Sequence, residues 1–540
     1  MQLFNLKKQS LQTGFSNLAA SMLTASLFFA FFNLWIVIHR FQTIKTPANI
    51  ILSESLAIFS ISLIMFFIIS HNKYLFKILS SLIIILTSVC AYFMSSYDIV
   101  FDQRIVLSIF ATNPGEASEL LNPSIIISIV LWAIAPLVFV NIVRIKQNNL
   151  LTMHKLKEVA IILILVISPI ALNPKIYAKD NLKNLKTAYL PFNYLSAANK
   201  YLTDGINNKY NHPKENLFTK HQFTFSGEND QGTIFVLVIG EAARSGNFSL
   251  NGYERETNPL LKNIPNLVSF KDSLSCDRVT QYSVPCLMGI ANKENFKFPI
   301  KETSMISVFN GLGFETSWLD IQEALTNGNM PVFQIANEAH NVVFRDTVSA
   351  NIASDTKLLD EHLLPYLDNS LAGQGNQFIV LHTYGSHHHY YYRYREEFAQ
   401  FQPECSHDFK RCSKESIVNS YDNSIIYTDY FLNEVITKLK TRNAILLYVA
   451  DHAELLGEGG RYLHGGSEDE LAQYQIPMLW WASDQFLSNK TNKDKFNNII
   501  LNSKSNVQRT HDNVFHSVLD CIGIESDVID KNLSLCRFKN

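Results

Sequence analysis

A chain of 540 residues is too long for a single hydrophobic core, so two or more domains are expected. Its 46 Lys and Arg nearly offset 48 Asp and Glu, a formal charge of -2 that gives no indication of nucleic-acid binding. The apolar residues are unevenly spread: the first third reads as membrane-spanning, the remainder as a mixed soluble domain.

Five apolar stretches, 18–39, 48–70, 75–97, 123–143 and 156–172, are predicted to span a bilayer; the last is the shortest and contains Pro169. Lys7, Lys8, Lys73, Lys77, Arg144, Lys146, Lys155 and Lys157 collect on one side of these spans, against only Arg40, Lys45 and Arg104 on the other. The positive side is cytoplasmic, so the N-terminus lies inside and everything after about 173 outside. Lys7 and Lys8 precede a full-length span with no small-residue cleavage pattern behind it, which reads as a retained anchor.

Of seven cysteines only Cys90 lies in a span. Cys276, Cys286, Cys405, Cys412, Cys521 and Cys536 form three sequence-near pairs in the exported part, as expected where disulfides persist. Neither a CxxC pair nor a zinc-finger spacing occurs. Closing the loop 276–286 would contribute roughly 2–3 kcal/mol and stiffen its contents, Thr280 among them.

Residues 173–231 are polar and rich in Lys and Asn, with Pro174, Pro191 and Pro213 as breaks. They read as a linker with one helix near 180–204, whose Lys179, Lys183 and Lys186 suit either anionic headgroups or a solvated bridge. The expected organisation is thus a five-helix transmembrane domain over 1–172, this linker over 173–231, and an exported domain over 232–540.

That domain opens with Thr233–Ile239, a continuous apolar run of the kind buried on both faces of a parallel sheet. Similar runs recur at Gln377–His382, Ala444–Ala450 and Gln475–Trp481, alternating with helical patterns such as Ser416–Lys440. The pattern predicts an α/β doubly wound fold. Ligands of such sheets bind beyond the carboxyl ends of the strands. Glu241 follows the first run, His382 and His387 the second, and Asp451 and His452 the third. A lone histidine at a strand end is usually structural, but three strands delivering carboxylates and imidazoles to one edge predict a metal site. Glu241, Asp451 and His452 are three ligands of the oxygen and nitrogen types that catalytic zinc takes. The fourth would be a hydroxyl nucleophile ionised by the metal. Thr280 is the choice for that role and Ser283 its competitor. His387 and His464, each beside glycine, would contact phosphate oxygens or a second metal. Gly457, Gly459, Gly460, Gly465 and Gly466 mark 457–466 as a flexible loop.

The strings Val238-Ile239-Gly240-Glu241-Ala242-Ala243-Arg244, Leu250-Asn251-Gly252-Tyr253, Ser283-Val284-Pro285-Cys286, His382-Thr383-Tyr384-Gly385-Ser386-His387, Tyr421-Asp422-Asn423-Ser424 and Asp451-His452-Ala453-Glu454 resemble the membrane phosphoethanolamine transferases that modify lipopolysaccharide. That family includes the mobile colistin-resistance enzymes and belongs to the alkaline phosphatase/sulfatase superfamily. The resemblance covers nearly the whole chain. It implies a multi-pass protein of the bacterial inner membrane, a monomer, with a sulfatase-like catalytic domain in the periplasm. It implies one or two zinc ions held by Glu241, Thr280, Asp451 and His452, with Thr280 carrying the transferred group and His387, His464 and His382 assisting. Cys276–Cys286 and Cys405–Cys412 match disulfides of the family; Cys521–Cys536 has no clear match. Thr112 and Glu116 match residues that hold the ethanolamine headgroup, and Ser108 stands where the family has asparagine.

Three departures stand out. Cys276-Asp277-Arg278 replaces a Cys-Gly-Thr opening, Ala453 replaces the glycine of Asp-His-Gly-Glu, and Gln322 and Thr326 replace the Asn and Lys that the colistin-resistance enzymes have after Trp318-Leu319-Asp320. The expected activity is transfer of phosphoethanolamine from phosphatidylethanolamine to lipid A or the inner core through a phosphoethanolamine–threonine intermediate. By adding a cationic amine to an anionic surface, it would confer polymyxin resistance. Rival readings are a glycerol-phosphate transferase, which the cysteine loop and Glu116 disfavour, and an inactive lipid-binding scaffold.

Overall fold

The computed structural model describes residues 14–42, 45–112, 117, 123–146, 153–206, 212–227, 232–322, 328, 330–352, 357–406, 409–466 and 470–538. The chain divides into two compact units, Met1–Val106 with Leu121–Lys200, and Leu107–Leu120 with Tyr201–Asn540.

Among the described residues of the first unit, four helices are long and apolar enough to cross a membrane: Asn17–Gln42, Ala48–Ile69, Lys73–Tyr97 and Pro123–Ile142. The fifth expected span lies on the helix Met153–Leu172, whose first turns carry Lys155, Lys157 and Glu158. That helix packs on Ala48–Ile69 through hydrogen bonds from Ser53 Oγ to Pro169 O (2.9 Å) and from Ser60 Oγ to Leu165 O (2.9 Å). Buried charges in this unit are paired, as a low-dielectric setting demands. Lys155 donates to Asn17 Oδ1 (2.7 Å) and sits 3.6 Å from Glu158, and Glu54 takes Arg40 (3.1 Å) and the Tyr189 hydroxyl (2.8 Å). The single helix expected near 180–204 is two, Lys179–Ala188 and Phe192–Ile206. Pro191 lacks an N–H and restricts Leu190, and the Asn33 amide exchanges two hydrogen bonds with the Leu190 backbone at the break.

The second unit is built on an eight-stranded sheet: β1 Ile234–Gly240, β2 Leu267–Leu274, β3 Glu315–Asp320, β4 Asn341–Val343, β5 Gln377–His382, β6 Ala444–Ala450, β7 Gln475–Ala482 and β8 Arg509–Thr510. Their order across the sheet is β8-β2-β7-β6-β1-β5-β3-β4. β1, β3, β4, β5 and β6 are mutually parallel, and every residue of β1, β5 and β6 is buried. β7 runs antiparallel to both neighbours. Among the described residues between β6 and β7 there is no α-helix, only the hairpin Leu455–Glu458/Arg461–Leu463 and the 3-10 turn Leu471–Gln473, so the chain returns in the opposite direction. Registers Ile239↔His382, Gly240↔Ala450 and Asp320↔His382 align the carboxyl ends of four central strands on one edge. Three disulfides, Cys276–Cys286, Cys405–Cys412 and Cys521–Cys536, staple loops and the C-terminal segment around this sheet.

Candidate metal centre and nucleophile

Glu241 is the first residue past β1, and Asp451 and His452 are the first past β6; all three are fully buried. Asp451 N–H donates to Gly240 O (2.8 Å), locking the two strand ends together. Two glycines permit the crowding. A Cβ on Gly240 would lie 2.4 Å from the Tyr448 hydroxyl, and one on Gly385 would lie 2.7 Å from Glu241 O. Ala242 takes a left-handed φ of 55°, held by Ala242 N–H on Asp451 Oδ1 (3.1 Å) and by the Tyr421 hydroxyl on Ala242 O (2.8 Å).

Asp451 Oδ1 also accepts the His452 N–H (2.7 Å), so Oδ2 is left for the site. His452 Nδ1–H is spent on Ala453 O (3.1 Å), which turns Nε2 toward Glu241 Oε1 (3.3 Å) and Asp451 Oδ2 (3.4 Å). Among the described residues those two buried oxygens have no hydrogen-bond partner. Ligand atoms of the three residues lie within 4.8 Å of one another. Lone pairs converging in a dry pocket demand a positive charge at their centre, and the O, O, N donor set fits a divalent cation. The electrostatics agree. Burial and the neighbouring Glu241 push the Asp451 carboxyl up to about 6. Burial also opposes charge on Glu241 and on His452. Even so, the imidazoles of His452, His387 and His464 hold Glu241 below its usual range, and Asp451 and Glu241 raise His452 to about 10.

Thr280 opens the helix Thr280–Met288, inside the loop closed by Cys276–Cys286. Its Oγ1 donates to Glu241 Oε2 (3.2 Å) and lies 3.3 Å from His452 Nε2. The N-terminal end of a helix favours negative charge, so an alkoxide forming there is stabilised. Ser283, the competing hydroxyl, is fully buried and donates to Asp451 O. Of the two, Thr280 is the one that reaches the side chains of Glu241 and His452.

His387 and His464 each have Nδ1 engaged, on His388 O (2.8 Å) and on Glu454 Oε1 (3.0 Å), which leaves Nε2 for a ligand. The His464 ring lies 4.1 Å from that of His452, tilted by 47°. The buried Glu454 also accepts the Tyr390 hydroxyl. His382 stands behind Glu241 and is fully buried, with Nδ1 on Asp320 Oδ2 (2.8 Å) and Nε2 3.2 Å from Gln322 Nε2. The Gln322 amide donates to Glu241 Oε2 (3.1 Å) and Thr383 O, so this departure from the family faces the cation cluster. Thr326 and Glu116 lie outside the described residues. Thr112 donates its N–H and its hydroxyl to Ser108 O (2.8 Å each). In the same segment Leu107 packs on Met330, with Tyr282, two residues past Thr280, in that cluster. Ala453 N–H bonds to Gln473 O (2.8 Å) without a left-handed φ, so alanine replaces glycine there without strain. Asp277 accepts the Arg278 N–H (2.8 Å). Nothing in the structure explains why Asp277 and Arg278 replace the family's residues.

Two partners lay outside the strand-end pattern. Asp320, which holds His382, ends a strand with too few apolar residues to be recognised, and His511, described below, follows a strand of only two residues.

The chain is similar to several known proteins. A profile of the family described as Sulfatase matches residues 233–524, and one described as Phosphoethanolamine transferase EptA/EptB matches residues 58–206. The Kdo(2)-lipid A phosphoethanolamine 7''-transferase of Escherichia coli K12 is 29% identical over 490 residues, covering 85% of each chain. Phosphatidylethanolamine transferase Mcr-1 of Escherichia coli is 27% identical, covering 86% of this chain and 88% of its own. The integral membrane lipooligosaccharide phosphoethanolamine transferase A of Neisseria meningitidis superposes with a TM-score of 0.82 at 25% identity, covering 97% of this chain and 98% of its own. The chain therefore belongs to the sulfatase family, with an N-terminal part that matches the phosphoethanolamine transferase profile.

Proposed function

We propose that this protein moves phosphoethanolamine from phosphatidylethanolamine to lipid A or the inner core of lipopolysaccharide, at a zinc site on the periplasmic side of a bacterial inner membrane. The observation that carries the reading is the Thr280 hydroxyl, 3.2 Å from Glu241 and 3.3 Å from His452 at a helix N-terminus. Glu241, Asp451, His452 and Thr280 would hold the ion. Zinc so bound supplies Lewis-acid stabilisation and lowers the pKa of a coordinated hydroxyl.

Thr280 Oγ1 attacks the lipid phosphorus, and the bond from phosphorus to the diacylglycerol oxygen breaks. The threonine proton is lost and the departing diacylglycerol oxygen gains one. An acceptor oxygen on lipid A then attacks the same phosphorus, the bond to Thr280 breaks, and the threonine is regenerated. The charge of the incoming phosphate favours the protonated rings of His387 and His464, whose Nε2–H groups would then donate to the phosphoryl oxygens and offset their charge. Gln322, supported by His382 and Asp320, orients Glu241. Thr112 and Glu116, with Ser108, receive the ethanolamine ammonium, for which a carboxylate is the natural charge-assisted acceptor. Placement of the Ser108–Thr112 segment in one unit with Thr280 supports that assignment.

The test is reconstitution of the full chain in vesicles containing phosphatidylethanolamine and lipid A, with mass spectrometry of the lipids. The expected products are phosphoethanolamine-modified lipid A and diacylglycerol, both lost on chelation or in Glu241→Ala. Modification arising only when phosphatidylglycerol replaces the donor would overturn the reading in favour of glycerol-phosphate transfer.

A further inference from the structure

His511 takes no part in the chemistry above, yet its buried side chain touches three segments that build the site. It follows β8, which pairs parallel with the end of β2, and its own N–H donates to Leu274 O (3.1 Å). Nδ1 lies 3.2 Å from the Cys276 nitrogen and 3.3 Å from Ser283 Oγ, while Nε2 lies 2.9 Å from Ala450 O. A backbone N–H can only donate, so Nδ1 is the acceptor and Nε2 carries the proton given to Ala450. Ser283 in turn donates to Asp451 O.

Cys276 and Ser283 bracket Thr280, one ahead of it and one a turn into its helix. Ala450 and Asp451 are the end of β6, from which the ligands Asp451 and His452 project. One neutral imidazole therefore bridges the nucleophile loop and the ligand strand. The Cys276–Cys286 bond closes the loop on itself but does not tie it to β6; His511 and Ser283 make that tie.

We infer that His511 is a positioning residue for Thr280: it sets the separation between the helix that begins at Thr280 and the strand end carrying Asp451 and His452. The inference rests on the reading of Thr280 as the attacking residue. Displacement of a nucleophile by about 1 Å costs on the order of 100-fold in rate. Zinc affinity depends less on this tie, because Asp451 Oδ1 is already fixed by the Ala242 and His452 N–H groups.

The test uses the full chain with His511→Phe, which fills space without hydrogen bonds, and His511→Asn, whose amide oxygen can replace Nδ1 as the acceptor for Cys276. The measurements are the rate of phosphoethanolamine attachment to Thr280, KM for phosphatidylethanolamine, zinc affinity by chelator competition, and thermal unfolding. His511→Phe is expected to slow attachment about 10- to 100-fold, with KM and zinc affinity within about twofold of wild type. His511→Asn should recover part of the rate. Folded variants that attach at the wild-type rate overturn the inference, as does a loss of zinc affinity parallel to the loss of rate. Should His511→Phe fail to fold, His511→Asn and Ser283→Ala decide: slower attachment supports the tie, and wild-type rates in both overturn it. Failure of the wild-type chain itself to form the Thr280 adduct would instead count against the functional reading.

Discussion

Replacing Gln322 by leucine removes a side-chain amide that donates to the Glu241 carboxylate, at 3.1 Å, while keeping much of the volume. Among the described residues Glu241 Oε1 has no hydrogen-bond partner, so in Gln322→Leu the Thr280 hydroxyl is the one of these donors that remains to the carboxylate. A hydrogen bond to a charged group contributes about 1.5–3 kcal/mol. At about 1.4 kcal/mol per factor of ten, zinc affinity should weaken roughly 10- to 150-fold, in line with the 10- to 100-fold typical of groups that orient metal ligands. Competition against a chromogenic chelator measures this directly, without any lipid substrate. His382→Ala, which removes the ring beside Gln322, should weaken zinc in the same direction but less. Unchanged affinity in folded Gln322→Leu would refute the argument that this amide holds Glu241 for the ion.

Glu454→Gln removes the charge that orients His464 through Nδ1 at 3.0 Å; turnover should fall about 10- to 100-fold with little change in KM, and steady-state kinetics within twofold of wild type would contradict this. Asp429, buried in the helix Lys414–Leu439, accepts the Leu260 and Leu261 N–H groups, and burial pushes its carboxyl up to about 7. The folded value lies above the ordinary one near 4, so the native state binds this proton more tightly and the contribution to stability is lost as pH rises through about 7. Thermal unfolding of Asp429→Asn should therefore show a shallower decline between about pH 4 and 7 than wild type; identical slopes would count against it.

Much of the site is legible in the sequence because β1, β5 and β6 are buried on both faces, so their continuous apolar runs mark the strand ends where Glu241, His382 and Asp451 project. Other strands leave weaker traces. β2 alternates burial and exposes Lys271 and Asp272, β3 reads Glu-Thr-Ser before its tryptophan, and β4 and β8 span three and two residues. Asp320 and His511 arrive on such strands, and their partners are distant in sequence, so spacing alone cannot reveal them. The direction of β7 is hidden for a related reason: an apolar run shows burial, but only the connection shows which way the strand runs. The break at Pro191 was open to inspection, since proline both lacks an N–H and restricts its predecessor.

The central claim is that a threonine hydroxyl in the Cys276–Cys286 loop carries the transferred group. Intact-mass analysis and peptide mapping of the full chain after incubation with phosphatidylethanolamine, without acceptor, tests it most directly. The account predicts one phosphoethanolamine adduct, located on Thr280 and absent from a Thr280→Ala protein that still binds zinc. An adduct on another residue, or sustained transfer to lipid A by Thr280→Ala, would contradict it.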